Sequence, residues 1–271
     1  MPKLSVITIN FNDKNGLEKT MQSLVSQTFK DLEFILIDGG STDGSVDVIK
    51  KYADKITHWV SEKDKGIYNA QNKGIALAKG EYCLFLNSGD YLASDTILEE
   101  IFSNDFTEDI IYGDMMIDKG EGKLYYGKHP DAIDFDFMIY TTLWHPVSFI
   151  KKSLFEKYGF YNEELKITSD YDFFLNTIIV LKATTKHIPV AVSVFNTFGI
   201  GSSKENKKLH EQERKFVQEK YFDKKEIGAA KARIKKQRGN KALISDWLEQ
   251  FPIVKKTASF LYQGIKNKGE K

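Results

Sequence analysis

Short apolar runs alternate with amphipathic stretches and polar turns along the N-terminal third of the chain. Each run is short enough for a buried strand, and the stretches between them have apolar residues three or four positions apart, as in a helix with one buried face. The first such helix places Leu17, Thr20, Met21 and Leu24 on one face. This alternation is typical of right-handed βαβ units and predicts an α/β fold, a mostly parallel sheet with helices on both faces. The predicted strands are residues 4–9, 32–37, 56–60 and 82–86.

The rest of the chain is less regular. Residues 110–117 and 123–126 are predicted to pair as strands around the turn at 118–122. Asp43 is the expected N-cap of the helix after the second strand, and either Asp170 or Asp172 is expected to cap a later one. Further helices are predicted at residues 152–158, 167–181 and 204–271.

The net charge of +1 conceals a division of charge along the chain. Residues 204–271 carry 19 Lys and Arg against 9 Asp and Glu, whereas residues 1–203 carry 20 against 29. An acidic body with a basic extension is therefore predicted. The single Cys83 lies in a predicted strand, as expected for a buried thiol in a reducing compartment. The start of the chain lacks a signal peptide's apolar region and no run matches a membrane span, so we expect a cytoplasmic location.

Polar side chains follow each of the four predicted strands. Asn10, Asp38, Asp64 and Asp90 fall in the loops after them, and the carboxyl ends of parallel strands share one edge, where such sheets bind ligands. An acidic crevice accepts an anionic ligand only with a cation, and carboxylates suit ribose hydroxyls and base N–H groups. A nucleotide with a divalent cation satisfies both conditions. No Gly-x-Gly-x-x-Gly follows the first strand, which argues against a dinucleotide-dependent dehydrogenase.

Four blocks of sequence, in order along the chain, carry a further signal: residues 5–12, 23–28, 37–45 and 72–82. Together they resemble the family 2 inverting glycosyltransferases. The resemblance covers about residues 1–203 and implies a GT-A fold, with a nucleotide-sugar-binding half at 1–92 and an acceptor-binding half at 93–203, followed by the helical extension at 204–271. It implies transfer of a hexosyl or N-acetylhexosaminyl group from a nucleoside-diphosphate donor, such as a UDP-sugar, to a glycan or lipid-linked acceptor in surface polysaccharide biosynthesis.

The resemblance assigns roles to the strand-end residues. Thr8 and Asn10 correspond to nucleotide contacts, Asp38 to the carboxylate that recognises the base, and Asp64 to a further base or ribose contact. From the residues alone, a role as a turn or cap residue is the competing explanation for Asp38. Asp64 is equally explained as part of a solvated charge run.

The metal motif departs from the family's pair of carboxylates. This chain has Asn87-Ser88-Gly89-Asp90, which leaves Asp90 as the one expected ligand for Mn²⁺ or Mg²⁺, with Asn87 beside it and the donor diphosphate completing the coordination. The resemblance places His145 at the diphosphate or metal, while its apolar neighbours are also typical of a core histidine. The reduced motif keeps open a non-catalytic nucleotide-sugar-binding or scaffold protein as an alternative.

The resemblance assigns the general base to Asp170. Residues two apart on a helix face different directions, so Asp170 and Asp172 are not expected to share a site; capping alone is the competing explanation for Asp170. Asp114 has a structural role or approaches the sugar. The glycine-rich stretch at 198–203 resembles a loop that closes over substrates, and it is equally explained as a turn.

The extension has two interpretations. Apolar residues interleaved with lysines at 243–268 suit an anionic membrane surface, and they also suit packing on the body or on a partner subunit. Self-association into a homo-oligomer stays open. Nucleic acid is not expected as a partner, because no nucleic-acid-binding motif accompanies the basic residues.

Overall fold

The computed structural model describes residues 1–120, 123–197 and 206–249, with side chains described up to residue 237. The strands within these residues are β1 Leu4–Asn10, β2 Leu32–Asp38, β3 His58–Ser61, β4 Tyr82–Phe85, β5 Tyr91–Leu92, β6 Ile110–Asp118, β7 Leu124–Gly127, β8 Ser148–Lys151 and β9 Thr185–Asn196. The α-helices are α1 Lys14–Val25, α2 Ser45–Lys51, α3 Ile67–Leu77, α4 Ile97–Phe102, α5 Phe135–Tyr140, α6 Lys152–Tyr158, α7 Ser169–Phe174, α8 Lys207–Tyr221 and α9 Lys224–Glu249.

The strands form one mixed sheet in the order β3-β2-β1-β4-β8-β6-β9-β5, with β7 paired to β6. β3, β2, β1 and β4 are mutually parallel, as the alternating pattern predicted. Beyond β4 the sheet becomes mixed, because β8 runs antiparallel to both β4 and β6. The hairpin predicted for β6 and β7 is confirmed, with Met115 opposite Gly127.

The core lies on the faces of this sheet. α1 buries Leu17, Thr20, Met21 and Leu24, the four residues of the predicted face. α3 lies close against β1 because Gly74 has no side chain; a Cβ at this position would lie 2.4 Å from Cγ2 of Ile7.

Both predictions about helix caps are wrong. The N-cap of α2 is Gly44, in the left-handed region with φ of 94°. Asp43 stabilises the start of α2 from one position earlier, where its Oδ1 accepts the N–H of Ser45 at 3.0 Å. The N-cap of α7 is Thr168, so neither aspartate of this helix caps it. The predicted helix continues beyond α7 as a π-helical segment, Leu175–Val180.

The chain divides into two compact units, with the boundary between Tyr221 and Phe222. α8 belongs to the first unit and α9 to the second. The extension is helical over its described residues, as predicted, while the domain boundary at residue 203 stays a prediction. The loop at 198–203 and the whole stretch at 243–268 lie outside the residues whose side chains are described. Among the described helices, none combines the length and the apolar composition needed to span a membrane.

Candidate active site

The turn after β4 is anchored from several sides. The hydroxyl of Thr20 on α1 donates to the carbonyl of Asp90 at 2.7 Å and accepts the N–H of Gly89 at 3.0 Å. The N–H of Ser88 donates to the carbonyl of Ile9 at the end of β1. Gly89 has φ of 95°, a conformation that glycine adopts without strain. Asp90 is thereby held in a defined position directly beyond the sheet edge.

The ends of β1, β2 and β4 are joined by a polar network. The Nδ2 of Asn10 donates to Oδ1 of Asp38 at 2.7 Å, and the hydroxyl of Ser88 donates to Oδ1 of Asn10 at 2.8 Å. Burial alone raises the pKa of Asp38, but hydrogen bonds from Ser41, Ser61 and Asn10 outweigh it and hold the pKa below its ordinary value. Asp38 is therefore an ionised carboxylate at neutral pH.

Both oxygens of Asp38 are occupied. Oδ1 accepts from Asn10 and from the Ser41 hydroxyl, and Oδ2 accepts from two backbone N–H groups and from the hydroxyl of Ser61. Recognition of a base by Asp38 stays a prediction. It requires the base to replace one of these donors.

Two other predicted nucleotide contacts have local partners. Thr8 is fully buried, and its hydroxyl donates to the carbonyl of Leu86 at 2.8 Å. Asp64 accepts the N–H of Gly66 at 2.9 Å. It lies beside the loop after β2, because a Cβ on Gly39 would be 2.5 Å from Oδ2 of Asp64. Their roles at the nucleotide stay predictions.

A cavity of about 650 Å³ lies next to these strand ends. This volume is within the range of small-molecule sites. Four of the predicted site residues line it: Asn87, Asp90, His145 and Asp170. The other four lie in the neighbouring strand-end network and its loops: Thr8, Asn10, Asp38 and Asp64.

Asp90 is a buried carboxylate, and the protein does little to compensate its negative charge. Its Oδ1 accepts the N–H of Asn196 at 3.0 Å. Burial raises the pKa of Asp90 to about 7; this N–H opposes the shift, and the negative charge of Asp13 adds to it. Asp13 also lines the cavity and lies beside Gly89, where a Cβ would be 3.5 Å from Oδ2 of Asp13.

These residues fit a divalent cation that is shared with a diphosphate. A cation would compensate the buried charge of Asp90, and carboxylate oxygens are the ligands that Mg²⁺ and Mn²⁺ prefer. Within the described part of the chain, no group of three or more His, Cys, Asp or Glu side chains is arranged to hold a metal ion. The remaining ligands would therefore come from phosphate oxygens and water.

His145 is part of a buried aromatic cluster on the cavity wall. Its ring stacks on Phe85 with centroids 4.3 Å apart, and its Nε2 lies 2.8 Å from the hydroxyl of Tyr161. Burial lowers the pKa of His145 to about 3, so the ring is neutral at neutral pH. His145 thus has the contacts of a core histidine and also borders the cavity; its role at the diphosphate stays a prediction.

Asp170 lies in the first turn of α7 and faces the cavity. Its Oδ1 accepts the hydroxyl of Tyr68 on α3 at 2.8 Å. Burial raises the pKa of Asp170, whereas the Tyr68 hydrogen bond and the positive charge of Arg214 act against that shift. The result is a carboxylate that is more basic than one in water and is held by a fixed donor.

Asp172 faces away from this cavity, as the helical geometry predicted. It forms an ion pair with Lys220 at 3.0 Å and accepts the hydroxyl of Tyr221 at 2.8 Å. Asp114 is also engaged elsewhere, accepting from the hydroxyl of Tyr126 and lying 3.0 Å from Nε2 of His187. These contacts are structural.

Sequence reasoning missed the contribution of α8. Glu213 is buried and accepts the N–H groups of Lys166, Ile167 and Thr168, the segment that leads into α7. Arg214 donates to the carbonyl of Thr141 and lies over the ring of Tyr171. The sequence offers no signal for this, because Glu213 and Arg214 are two charged residues among many in a polar helix.

Comparison with known proteins agrees with this architecture. The model of the family described as glycosyl transferase family 2 matches residues 5–163. An uncharacterised glycosyltransferase of Mycobacterium tuberculosis is 32% identical over 213 residues, covering 75% of this chain and 79% of the relative. A PGL/p-HBAD biosynthesis glycosyltransferase of Mycobacterium bovis is 29% identical over 205 residues, covering 73% and 78%.

Solved structures share the fold. S. aureus TarS 1-349 in complex with UDP-GlcNAc superposes with a TM-score of 0.60 at 22% identity, covering 74% of this chain and 61% of that chain. The mannosyltransferase PcManGT from Pyrobaculum calidifontis, in complex with GDP-Man and Mn²⁺, has a TM-score of 0.57 at 16% identity, covering 74% and 59%. This chain therefore spans about three fifths of those two chains. The family match, the relatives and the GT-A-like architecture lead to one conclusion: the chain belongs to glycosyltransferase family 2.

Proposed function

We propose that this glycosyltransferase moves a hexosyl or N-acetylhexosaminyl group from a nucleoside-diphosphate sugar to a hydroxyl of a glycan or lipid-linked acceptor, with inversion at the anomeric carbon. The observation that carries the proposal is that one cavity brings together Asp90, at the end of β4, and Asp170, at the start of α7. Eighty residues of sequence separate the two carboxylates. Their environments suit different tasks.

Asp170 suits the role of general base. A single displacement at the anomeric carbon requires the attacking hydroxyl to lose its proton, and a positioned carboxylate with a raised pKa accepts that proton efficiently. Burial supplies the raised pKa, and Tyr68 and Arg214 favour the ionised form. No covalent intermediate is needed in this scheme.

Asp90 suits the diphosphate end of the donor. Asp90 would hold a divalent cation, with Asn87 and Asp13 lining the cavity beside it. A cation bound there neutralises charge that develops on the departing nucleoside diphosphate. Because a single buried carboxylate offers little charge, we expect cation and donor to bind together more tightly than the cation binds alone.

The relatives support the finer assignments. TarS was solved with UDP-GlcNAc and PcManGT with GDP-Man and Mn²⁺, which supports a nucleotide-sugar donor and a divalent cation. We favour a UDP-sugar. For the acceptor we propose a glycan or a lipid-linked glycan in surface polysaccharide biosynthesis; a relative is named for a role in biosynthesis, that of PGL/p-HBAD. Such acceptors suit a cytoplasmic enzyme that works at the inner face of the membrane.

The test is a transfer and hydrolysis screen against a panel of UDP- and GDP-sugars with Mg²⁺ or Mn²⁺. Asp170→Asn preserves size but cannot accept the proton, so donor binding should persist while the transfer rate falls by about a hundredfold or more. Asp172→Asn on the same helix is the matched control and should lower the transfer rate much less. NMR of the product's anomeric configuration tests inversion.

Each outcome is informative. Greater sensitivity at Asp172 would place the base on the other face of α7, and insensitivity at both positions would remove the main support for the inverting scheme. Donor binding with no transfer or hydrolysis of any sugar would favour the non-catalytic alternative.

A further inference from the structure

Tyr68 contacts the carboxylate assigned as the base, although the two residues are far apart in sequence. Its hydroxyl donates to Oδ1 of Asp170 at 2.8 Å, across 102 positions of the chain. Tyr68 lies in the first turn of α3, is 5% exposed, and lines the same cavity as Asp170. None of the sequence blocks that indicated the family singles out this residue.

We propose that Tyr68 is the positioning residue of the base: it fixes Oδ1 of Asp170, so that the other carboxylate oxygen takes the acceptor proton. This inference rests on the proposed function and adds a residue to it. A carboxylate held by one donor loses its rotational freedom, and correct orientation of a base is worth a large part of its catalytic effect.

The position of Tyr68 is itself fixed. Its ring packs against Tyr161 with centroids 5.6 Å apart. Tyr161 is tied to α3 by Asn72, whose Nδ2 donates to the Tyr161 carbonyl at 2.9 Å and whose Oδ1 accepts the Tyr161 N–H at 3.0 Å. α3 lies against β1 through Gly74. The Tyr68 hydroxyl is therefore held in place by packing against the core of the fold, and such packing keeps the geometry of a site precise.

Tyr68 donates its proton to the hydrogen bond but does not lose it. Burial, followed by the charge of Asp170, raises the pKa of Tyr68 well above its usual range. In the transfer step the acceptor oxygen forms a bond to the anomeric carbon while the bond from that carbon to the diphosphate oxygen breaks. The electron pair of the broken bond leaves with the diphosphate, and the acceptor proton passes to Asp170.

Several other charged or titratable groups surround the base. Tyr161 and Tyr171 lie near it, Arg214 approaches from α8, and His210, Asp90 and Asp13 line the same cavity. Burial raises the pKa of Asp170, and the Tyr68 hydrogen bond lowers it. Loss of the hydroxyl should therefore raise the pKa of the base and move the acid limb of the rate profile to higher pH.

The experiment compares wild type with Tyr68→Phe by measuring kcat from pH 5 to 9 at saturating donor and metal, which reports groups in the bound complex. The acid limb should move upward by about one pH unit or more, since a hydrogen bond to a charged group is lost. Below the limb, kcat should fall by about tenfold or more. Above it, kcat should stay below the wild-type value, because the ionised carboxylate has lost the donor that orients it, and the donor KM should stay within about twofold.

Two further variants sharpen the result. Tyr52→Phe is the matched control, because Tyr52 donates to Glu18 at 2.6 Å on the outside of α1 and α2; it should leave the profile unchanged. Fluorotyrosine at position 68 keeps the ring and makes the hydroxyl a stronger donor, so it should move the limb to lower pH. This variant preserves the packing of the ring. If Tyr68→Phe does not fold, the shift of the acid limb in the fluorotyrosine variant tests the proposal by itself.

An unchanged acid limb in both position-68 variants, or a kcat of Tyr68→Phe that equals the wild-type value above the limb, would overturn the proposal. Asp170→Asn, measured in parallel, distinguishes an error in the role of Tyr68 from an error in the assignment of the base. If Asp170→Asn is inactive while both position-68 variants match wild type, the role of Tyr68 is wrong and the proposed function stands. If Asp170→Asn retains full activity, the assignment of the base itself fails.

Discussion

The most direct test of how the base is held concerns Glu213. Its carboxylate accepts four hydrogen bonds, from the N–H groups of residues 166–168 and the hydroxyl of Thr168, at 2.7 to 3.1 Å. Thr168 is the N-cap of α7, so Glu213 satisfies backbone donors that the helix start and the preceding turn cannot satisfy internally. The perturbation is Glu213→Gln, which keeps the shape of the side chain and removes its charge.

The expected cost follows from this geometry. Oε2 of Glu213 accepts three of the donors and Oε1 accepts the N–H of Lys166, so an amide that keeps its oxygen at the Oε2 position turns its NH₂ group toward that N–H. One unsatisfied buried donor costs about 1–3 kcal/mol, and the other three hydrogen bonds lose a charged acceptor, so we expect a loss of about 3 kcal/mol in the free energy of unfolding. For a folded unit of this size that is a fall of about 6–12 °C in Tm.

The assay is thermal unfolding of the full chain, followed by donor titration and transfer kinetics. Glu219→Gln, an exposed substitution on the same helix, is the matched control and should change Tm by less than about 1 °C. In Glu213→Gln the rate of transfer should fall while donor affinity changes little, because residues 166–168 lead into Asp170. A Tm within about 2 °C of the control would refute the conclusion that Glu213 supports this turn.

Three more predictions concern other parts of the molecule. Because burial raises the pKa of Asp90 to about 7, joint binding of cation and donor should release about half a proton at pH 7, more at lower pH and almost none above about pH 8.5. Calorimetry in buffers of different ionisation enthalpy measures the number of protons released. A number that does not vary with pH, or that is unchanged in Asp90→Asn, would contradict the prediction. For the same reason Asp90 should contribute stability to the metal-free fold that is lost as the pH rises from about 4 to about 7, since the folded carboxyl binds a proton that the unfolded one has released; the Tm of wild type compared with that of Asp90→Asn over this pH range measures the contribution. Asp38→Ala should weaken UDP more than GDP, and equal losses would argue against recognition of the base by Asp38. If the C-terminal extension binds anionic vesicles, binding should fall with salt and vanish on deletion of residues 243–271; salt-insensitive or absent binding would favour packing on protein.

The parallel half of the fold was predictable because its signals are local. Each of β1, β2 and β4 is a short apolar run, and α1 buries the face that its spacing predicted. Parallel strands bring their carboxyl ends to one edge, so the neighbourhood of Asn10, Asp38 and Asp90 also followed from the sequence. The caps of α2 and α7 did not, because Gly44 and Thr168 compete with nearby aspartates for the same position.

The far wall of the cavity was not predictable in the same way. Tyr68 and Asp170 are adjacent only because α3 and α7 meet in the fold, and nothing periodic in either helix indicates its partner. Glu213 and Arg214 belong to a helix that the composition assigned to a basic extension, yet α8 is part of the same compact unit as the sheet. Charge counts describe a segment as a whole, whereas these two residues act through individual buried contacts.

The same physical effect gives the two cavity carboxylates different chemistry. Burial raises the pKa of both Asp90 and Asp170. At Asp90 the protein supplies one backbone N–H and a neighbouring aspartate that makes ionisation harder, so the charge is left for a bound cation to compensate. At Asp170 it supplies a tyrosine hydroxyl and a nearby guanidinium, which favour ionisation without any ligand. A fold that must bind a diphosphate and also deprotonate a hydroxyl gains from this difference, because Asp170 has protein groups that favour its ionised form, whereas the charge of Asp90 would be compensated only when a cation binds.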